Sequence, residues 1–166
     1  MYEKAVLIAL GSSLGGGFGS SAAAIAAAME PLADAGFSIL ARSPLWRSAS
    51  WPDPSLPDYI NALVIVETPL EPAQTLERLH AIEAAFGRDR EAARNAPRVL
   101  DLDLIAHGRA VIDEDGLVLP HPRAAERLFV MGPLAQIAPG WVHPVLGETA
   151  EVLAANASVG RDAAPL

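Results

Sequence analysis

The chain contains no cysteine, which excludes disulfides, thiolate metal sites and cysteine nucleophiles and suits a reducing compartment. Lysine is nearly absent too: Lys4 is the only one, and the other basic residues are all arginine. With a net charge of −8 and a pI near 4.9, the chain lacks the broad basic surface that nonspecific binding to nucleic acid or an anionic membrane requires. Aromatic residues make up only 5%, too few for a base-stacking platform. No apolar run approaches the roughly 20 residues of a membrane span. The start, Met1 to Lys4 and a short apolar run, is too short and too weakly basic for a signal peptide, so a cytoplasmic protein is expected. A Walker loop is excluded because no Gly-Lys-Ser or Gly-Lys-Thr occurs, and Gly15-Gly16-Gly17-Phe18-Gly19 does not match G-x-G-x-x-G. That glycine loop reads as a flexible turn, with the shaping of a site as its alternative role. The histidines are scattered and supply no zinc cluster, and His80, His107 and His143 read as structural.

What is present is concentrated in Pro97-Arg98-Val99-Leu100-Asp101-Leu102-Asp103-Leu104-Ile105. In a strand, alternate side chains share a face, so Asp101 and Asp103 point one way while Leu100, Leu102 and Leu104 point the other. At roughly 6.6 Å backbone separation, two carboxylates repel by about 2 kcal/mol at an effective dielectric of about 20. A hard cation such as Mg²⁺ relieves this repulsion and shares its remaining positions with water and substrate phosphate. Arg88, Arg90, Arg94 and Arg98 all fall just before the pair, a local positive cluster in an acidic chain. Guanidinium groups hold phosphate oxygens through paired hydrogen bonds, so metal and arginine together suggest a polyphosphate site.

Two further groups stand out. Pro120-His121-Pro122-Arg123, followed by Arg127, Phe129 and Val130, places an imidazole and two guanidiniums close in sequence, which suits either a second hold on the same anion or a capped helix with surface arginines. In Asp58-Tyr59-Ile60-Asn61, Tyr59 and Asn61 share a strand face and offer a flat ring beside an amide, which suits a planar heterocycle or plain sheet packing.

With 166 residues the chain suits a single domain over 1–166. The apolar run Ala5 to Leu10 reads as a buried strand, Ser20 or Ser21 as the cap of an alanine-rich helix to Ala35, and Phe37 to Ser48 as a second strand. Ala49 to Pro57, with three prolines, reads as a semi-rigid loop. Asp58 to Thr68 reads as a third strand, Pro72 to Gly87 as a second helix, and the Asp-x-Asp segment as a fourth strand. That order predicts an α+β fold with a ferredoxin-like split βαβ core: a largely antiparallel sheet with helices packed on it. A C-terminal segment extends it, with short strands at Val111-Ile112 and Leu117 to Leu119 and helices near Ala124 to Ile137 and Glu148 to Ala155. Ser158 to Leu166 is expected to fray.

Taken together, Gly11-Ser12, Tyr59-x-Asn61, Ile82-Glu83 with Gly87-Arg88-x-Arg90, Pro97-Arg98-x-Leu-Asp101-Leu-Asp103-Leu, and Pro120-His121-Pro122-Arg123 with Arg127-x-Phe129-Val130 resemble the 6-hydroxymethyl-7,8-dihydropterin pyrophosphokinase family of folate biosynthesis. The resemblance runs in order over residues 5 to about 140. It implies pyrophosphoryl transfer from ATP to the pterin hydroxymethyl group with release of AMP, two Mg²⁺ ions, small-molecule substrates and a monomer. It also implies roles: Asp101 and Asp103 as metal ligands, and Arg88 and Arg98 as catalytic arginines on the phosphates. Glu83, Arg90, His121 and Arg127 fall on the ATP side, and Ser48, Trp51, Tyr59, Asn61 and Phe129 around the pterin. The chain departs from the family pattern at Ser13, where asparagine is usual, at His80, where glutamine is common, and at Asn95, where some members have tryptophan. Two other classes remain open: a different Asp-x-Asp metal-dependent transferase or hydrolase, and a non-catalytic ferredoxin-like binding module.

Overall fold

A computed structural model describes residues 2–50, 53–87 and 99–166. Its centre is β1 (Val6–Ser12), flanked by β4 (Tyr59–Glu67) on one side and β5 (Asp101–His107) on the other. β2 (Ser38–Arg42) and β3 (Trp46–Ser48) both pair with β4, and β8 (Ala164–Pro165) pairs with β3. Every pairing in this sheet is antiparallel, with the order β5-β1-β4-β3-β8. The arrangement is the ferredoxin-like core expected from the element order.

β1 and β4 are continuously apolar because helices bury both their faces. Val6, Ile8, Leu10, Ala62, Val64 and Val66 pack with Leu102 and Leu104 under α1 (Ser21–Ala27), α2 (Met29–Asp34) and α3 (Pro72–Ala85). Leu7, Leu63, Ile65 and Ile105 pack on the opposite face under α4 (Leu128–Ile137) and α5 (Ala150–Asn156). There α4 lies tight on β3, because Gly132 leaves room for the Trp46 indole, whose Nε1 donates to Gln136 Oε1 at 2.6 Å. A two-stranded ribbon of β6 (Ile112–Glu114) and β7 (Leu117–Leu119) stands beside β5.

Local chemistry accounts for most boundaries. Ser20 caps α1 by accepting from Ala23 N at 3.1 Å, and α3 begins with a Glu71/Gln74 capping box and Pro72. Four expectations need correction. The first helix is two helices meeting at Ala28, since Pro31 has no N–H to continue the ladder and fits only the first turn of a new helix. The strand read over Phe37 to Ser48 is split, because Pro44 cannot donate; across the gap Ser43 N donates to Leu63 O at 2.8 Å and Leu63 N to Ser43 Oγ at 2.9 Å. The helix read from Ala124 is a 3₁₀ turn, Ala124–Glu126, then extended Arg127, and only then α4. Residues 158–166 do not fray: Ser158 N and Val159 N donate to Glu126 O, Leu128 N donates to Val159 O, and β8 extends the sheet. Backbone pairing to distant segments holds these residues, which their small and polar composition did not announce.

Candidate active site

The strand register builds the centre of the site. Asp101 lies opposite Gly11 on β1, and Gly11 lies opposite Asn61 on β4; Asp103 lies opposite Ala9, two pairs further along and on the same face. Leu102 and Leu104 turn into the core under α1 to α3, so Asp101 and Asp103 face the α4 side together and stay partly exposed. Gly11 makes this row an open floor. A Cβ there would sit 3.6 Å from Asn61 Oδ1, 3.7 Å from the Tyr59 ring and 3.8 Å from Asp101 Cβ. One missing side chain thus separates the carboxylates from the amide.

β5 is an edge strand, and its outer side is covered by two specific contacts. Glu83, on α3 and only 2% exposed, accepts the Leu102 N–H at 2.8 Å. That N–H lies between the two aspartates. His121 N donates to Ile105 O at 2.8 Å and ties the Pro120 to Arg123 turn to the same edge. Between β5, α3 and the β7 turn lies a cavity of about 280 Å³ whose lining includes His80, Glu83, Asp101, Asp103 and His121.

Burial above all, and then the Arg127 and Arg123 guanidiniums, hold the His121 imidazole down at about 4 against the opposing pull of Asp101. At neutral pH this ring is uncharged. Its Nδ1 accepts the Arg123 N–H at 3.2 Å, which leaves the proton on Nε2.

The other half of the site lies on the α4 face. Asn61 Nδ2 donates to Ser48 Oγ at 3.0 Å, both side chains being buried, and this bond aims Asn61 Oδ1 at the floor by Gly11. Tyr59 shares that face and pairs with Ser48 in the β3–β4 register. Phe129, in the first turn of α4, packs against the same core, and the Arg127 guanidinium stands 5.7 Å from its ring centre.

The structure therefore brings Glu83, Asp101, Asp103 and His121 around one cavity, and Ser48, Tyr59 and Asn61 onto one patch of the α4 face. Arg127 sits against Phe129 and close enough to His121 to shift it. Trp51, Arg88, Arg90 and Arg98 lie outside the described residues, as do Arg94 and Asn95. Sequence reasoning set His80 aside as structural, yet it lines the cavity. Its spacing with Leu76 and Glu83 along α3 is a helical stripe that could have shown this. The glycine loop packs against the end of α3 and the approach to β5: Phe18 stacks on Phe86 at 5.1 Å, and Gly16 faces Val99.

Among the described residues no group of three or more acidic or histidine side chains could encircle a metal. Two partly exposed carboxylates on one strand instead fit Mg²⁺, which commonly takes one or two carboxylates and fills its shell with water and phosphate oxygens. They do not fit a closed structural zinc site.

A ferredoxin-like sheet with paired carboxylates beside a cavity at its edge, and an oriented amide across a bare floor, suits metal-assisted group transfer between small molecules. Comparison with known proteins makes this specific. The model of the 7,8-dihydro-6-hydroxymethylpterin-pyrophosphokinase family matches residues 7–139. A Methylorubrum extorquens protein named 2-amino-4-hydroxy-6-hydroxymethyldihydropteridine pyrophosphokinase is 44% identical over 137 residues, covering 82% of this chain and 85% of that one. A Synechocystis protein of the same name is 42% identical over 137 residues, covering 82% of this chain and 69% of its own length. Among solved structures, wild-type HPPK-DHPS of Plasmodium falciparum superposes with a TM-score of 0.70 at 13% identity, a likeness of fold alone. It covers 91% of this chain but 44% of the Plasmodium one. The chain belongs to the 7,8-dihydro-6-hydroxymethylpterin-pyrophosphokinase family. It is an ATP-dependent diphosphotransferase of folate biosynthesis, acting on small molecules. Among the described residues no helix is long and apolar enough to cross a membrane.

Proposed function

We propose that the two halves of the site hold the two substrates and meet at Asp101 and Asp103. ATP lies along the β5 edge with its polyphosphate toward the aspartates, and the pterin lies on the α4 face between Tyr59, Asn61 and Phe129. The row Asn61–Gly11–Asp101 carries this reading, because an amide suited to a heterocycle and a carboxylate suited to a metal stand on the two strands that flank β1, with only Gly11 between them.

Asp101 and Asp103 would hold two Mg²⁺ ions, which when bound neutralise polyphosphate charge and acidify a coordinated hydroxyl. The hydroxymethyl oxygen attacks the β-phosphorus and a new O–P bond forms. The bond from the β-phosphorus to the bridging oxygen of the α-phosphate breaks, its electron pair leaves with AMP, and the hydroxyl proton goes to solvent. Arg88 and Arg98 would hold the phosphoryl oxygens and stabilise charge as it develops, and Arg90 would also bind ATP. His121, as a neutral ring, would donate a hydrogen bond from its Nε2–H to a phosphate oxygen and keep the proton, and Arg127 would add charge behind it. Ser48 fixes the Asn61 amide, and backbone groups near Ser48 and Trp51 complete the pterin pocket. Glu83 supports the ATP side through β5. The catalytic unit would be a single domain over 1–166 acting as a monomer, a reading that helices covering both faces of the six-stranded sheet support. Its ATP requirement suits the cytoplasm.

Asp101→Ala and Asp103→Ala test the metal role. Each should stay folded by circular dichroism yet lose at least about a hundredfold in turnover, the scale of several kcal/mol of metal stabilisation. Mn²⁺ titration followed by electron paramagnetic resonance, with a non-hydrolysable ATP analogue present, should count two ions in the parent and fewer in each variant. Near-normal turnover, or an unchanged ion count, contradicts the assignment.

A further inference from the structure

The family match ends at residue 139, and the segment 158–166 beyond it touches both ends of the pterin side. At one end Val159 accepts the Leu128 N–H at 2.9 Å, beside Phe129, and forms a bridge with Arg127. Gly160 follows with φ of +69°, and a Cβ there would lie 2.5 Å from Phe129 Cδ1 and 2.9 Å from Cε1. The ring therefore rests directly on the Gly160 backbone. At the other end β8 pairs with β3, and Leu166 N donates to Leu45 O at 3.0 Å. Asp162 Oδ2 accepts the Ala49 N–H at 2.6 Å, one residue beyond Ser48, where the proline-rich loop begins.

We propose that residues 158–166 are a strap that positions the pterin pocket, with Gly160 setting the seat of the Phe129 ring and Asp162 anchoring the start of the 49–57 loop. The inference rests on the assignment of Phe129 and Ser48 to the pterin side. A strap joined to α4 at one end and to β3 at the other fixes the distance between the two walls that grip a flat heterocycle. Among the described residues its link to the ATP side is the backbone bridge from Val159 to Arg127, while Phe129, Leu45 and Ala49 all lie on the pterin side, so its influence should fall mainly on the pterin.

Four variants test this in the full chain: Gly160→Ala, Asp162→Ala, Asp162→Asn and, as a control, Phe129→Ala. The readouts are KM for hydroxymethyl-dihydropterin, KM for ATP, kcat and thermal stability. Gly160→Ala displaces an aromatic contact, and its pterin KM should rise about fivefold. Asp162→Ala removes one exposed hydrogen bond and should raise pterin KM about threefold, while Asp162→Asn keeps an acceptor and restores the parent value. The ATP KM should stay within about twofold in all of them. If Phe129→Ala raises pterin KM and the Asp162 pair does not separate, the strap is refuted while the pterin assignment stands. If Phe129→Ala leaves pterin KM unchanged, the assignment and the strap both fail. Equal rises in both KM values with lost stability would mean a purely structural segment and also overturn the proposal. Should Gly160→Ala fail to fold, the Asp162 pair decides.

Discussion

Removing the Ser48 hydroxyl should loosen pterin binding through a residue that keeps its own side chain. Ser48 and Asn61 are 5% and 6% exposed, and the Asn61 amide donates to the Ser48 oxygen at 3.0 Å across the β3–β4 pair. Ser48→Ala leaves a buried N–H without that acceptor, a loss of about 1–3 kcal/mol in the folded protein. Taking about 1.5 kcal/mol as the central value, the melting temperature of a chain this size should fall by about 3–6 °C. The amide is then free to rotate, and its Oδ1 no longer faces the floor at Gly11. Pterin affinity should drop about tenfold, equivalent to about 1.4 kcal/mol, with ATP affinity unchanged. Equilibrium fluorescence titration with a non-hydrolysable ATP analogue present measures the first, and urea unfolding the stability. Combining Ser48→Ala with Asn61→Ala should show a coupling of about 1 kcal/mol in pterin binding, because once the amide is gone the hydroxyl has nothing to orient. If the two substitutions add within about 0.3–0.5 kcal/mol, the hydrogen bond does not set the amide and the reasoning is refuted.

Glu83→Leu should destabilise the protein by about 1–3 kcal/mol, because the buried Leu102 N–H loses its acceptor, and should weaken Mn²⁺ binding by disturbing the strand between the aspartates. Glu83→Gln retains a carbonyl acceptor and should recover most of both; no recovery would mean that the negative charge matters and the backbone contact does not. Folding stability should depend on the buried histidines as well. His121 sits at about 4, below its ordinary 6.5, because of burial and then Arg127 and Arg123; burial and Arg109 also lower His143. The unfolded chain binds these protons first, so stability should fall as pH drops from about 6.5 toward 4 and should not respond to these groups above that window. His121→Gln should flatten the slope by less than the about 1.4 kcal/mol per pH unit of a fully excluded proton, since the ring keeps some solvent contact. An unchanged slope in urea unfolding between pH 4.5 and about 6.5 would contradict this.

Where an element is made by local pattern, its sequence announces it. β1 and β4 are unbroken apolar runs, α3 is bracketed by Pro72 and Gly87, and the alternation through Leu100 to Leu104 puts Asp101 and Asp103 on one side, as found. What escaped the sequence depends on partners far along the chain. Ser43 stitches a gap made by Pro44 only because Leu63 lies across from it, and Arg127 is extended because Val159 pairs with it. Ser158 to Leu166 has no hydrophobic period and is held by backbone bonds to Glu126, Leu128 and Leu45. The same holds within the site. The carboxylate pair and the Tyr59 and Asn61 face follow from period two, but the Glu83 contact to Leu102 N and the Ser48 contact to Asn61 arise only from packing and register.

On the proposed assignment, a pyrophosphoryl group passes at the Asp101 and Asp103 pair from ATP on the β5 edge to a pterin on the α4 face. The most direct test is to incubate the protein with ATP, Mg²⁺ and 6-hydroxymethyl-7,8-dihydropterin and to identify the adenine nucleotide released. AMP should form only when both the pterin and the divalent cation are present, and its formation should be lost in Asp103→Ala. Release of ADP, AMP formation without the pterin, or undiminished AMP formation by Asp103→Ala would contradict the assignment.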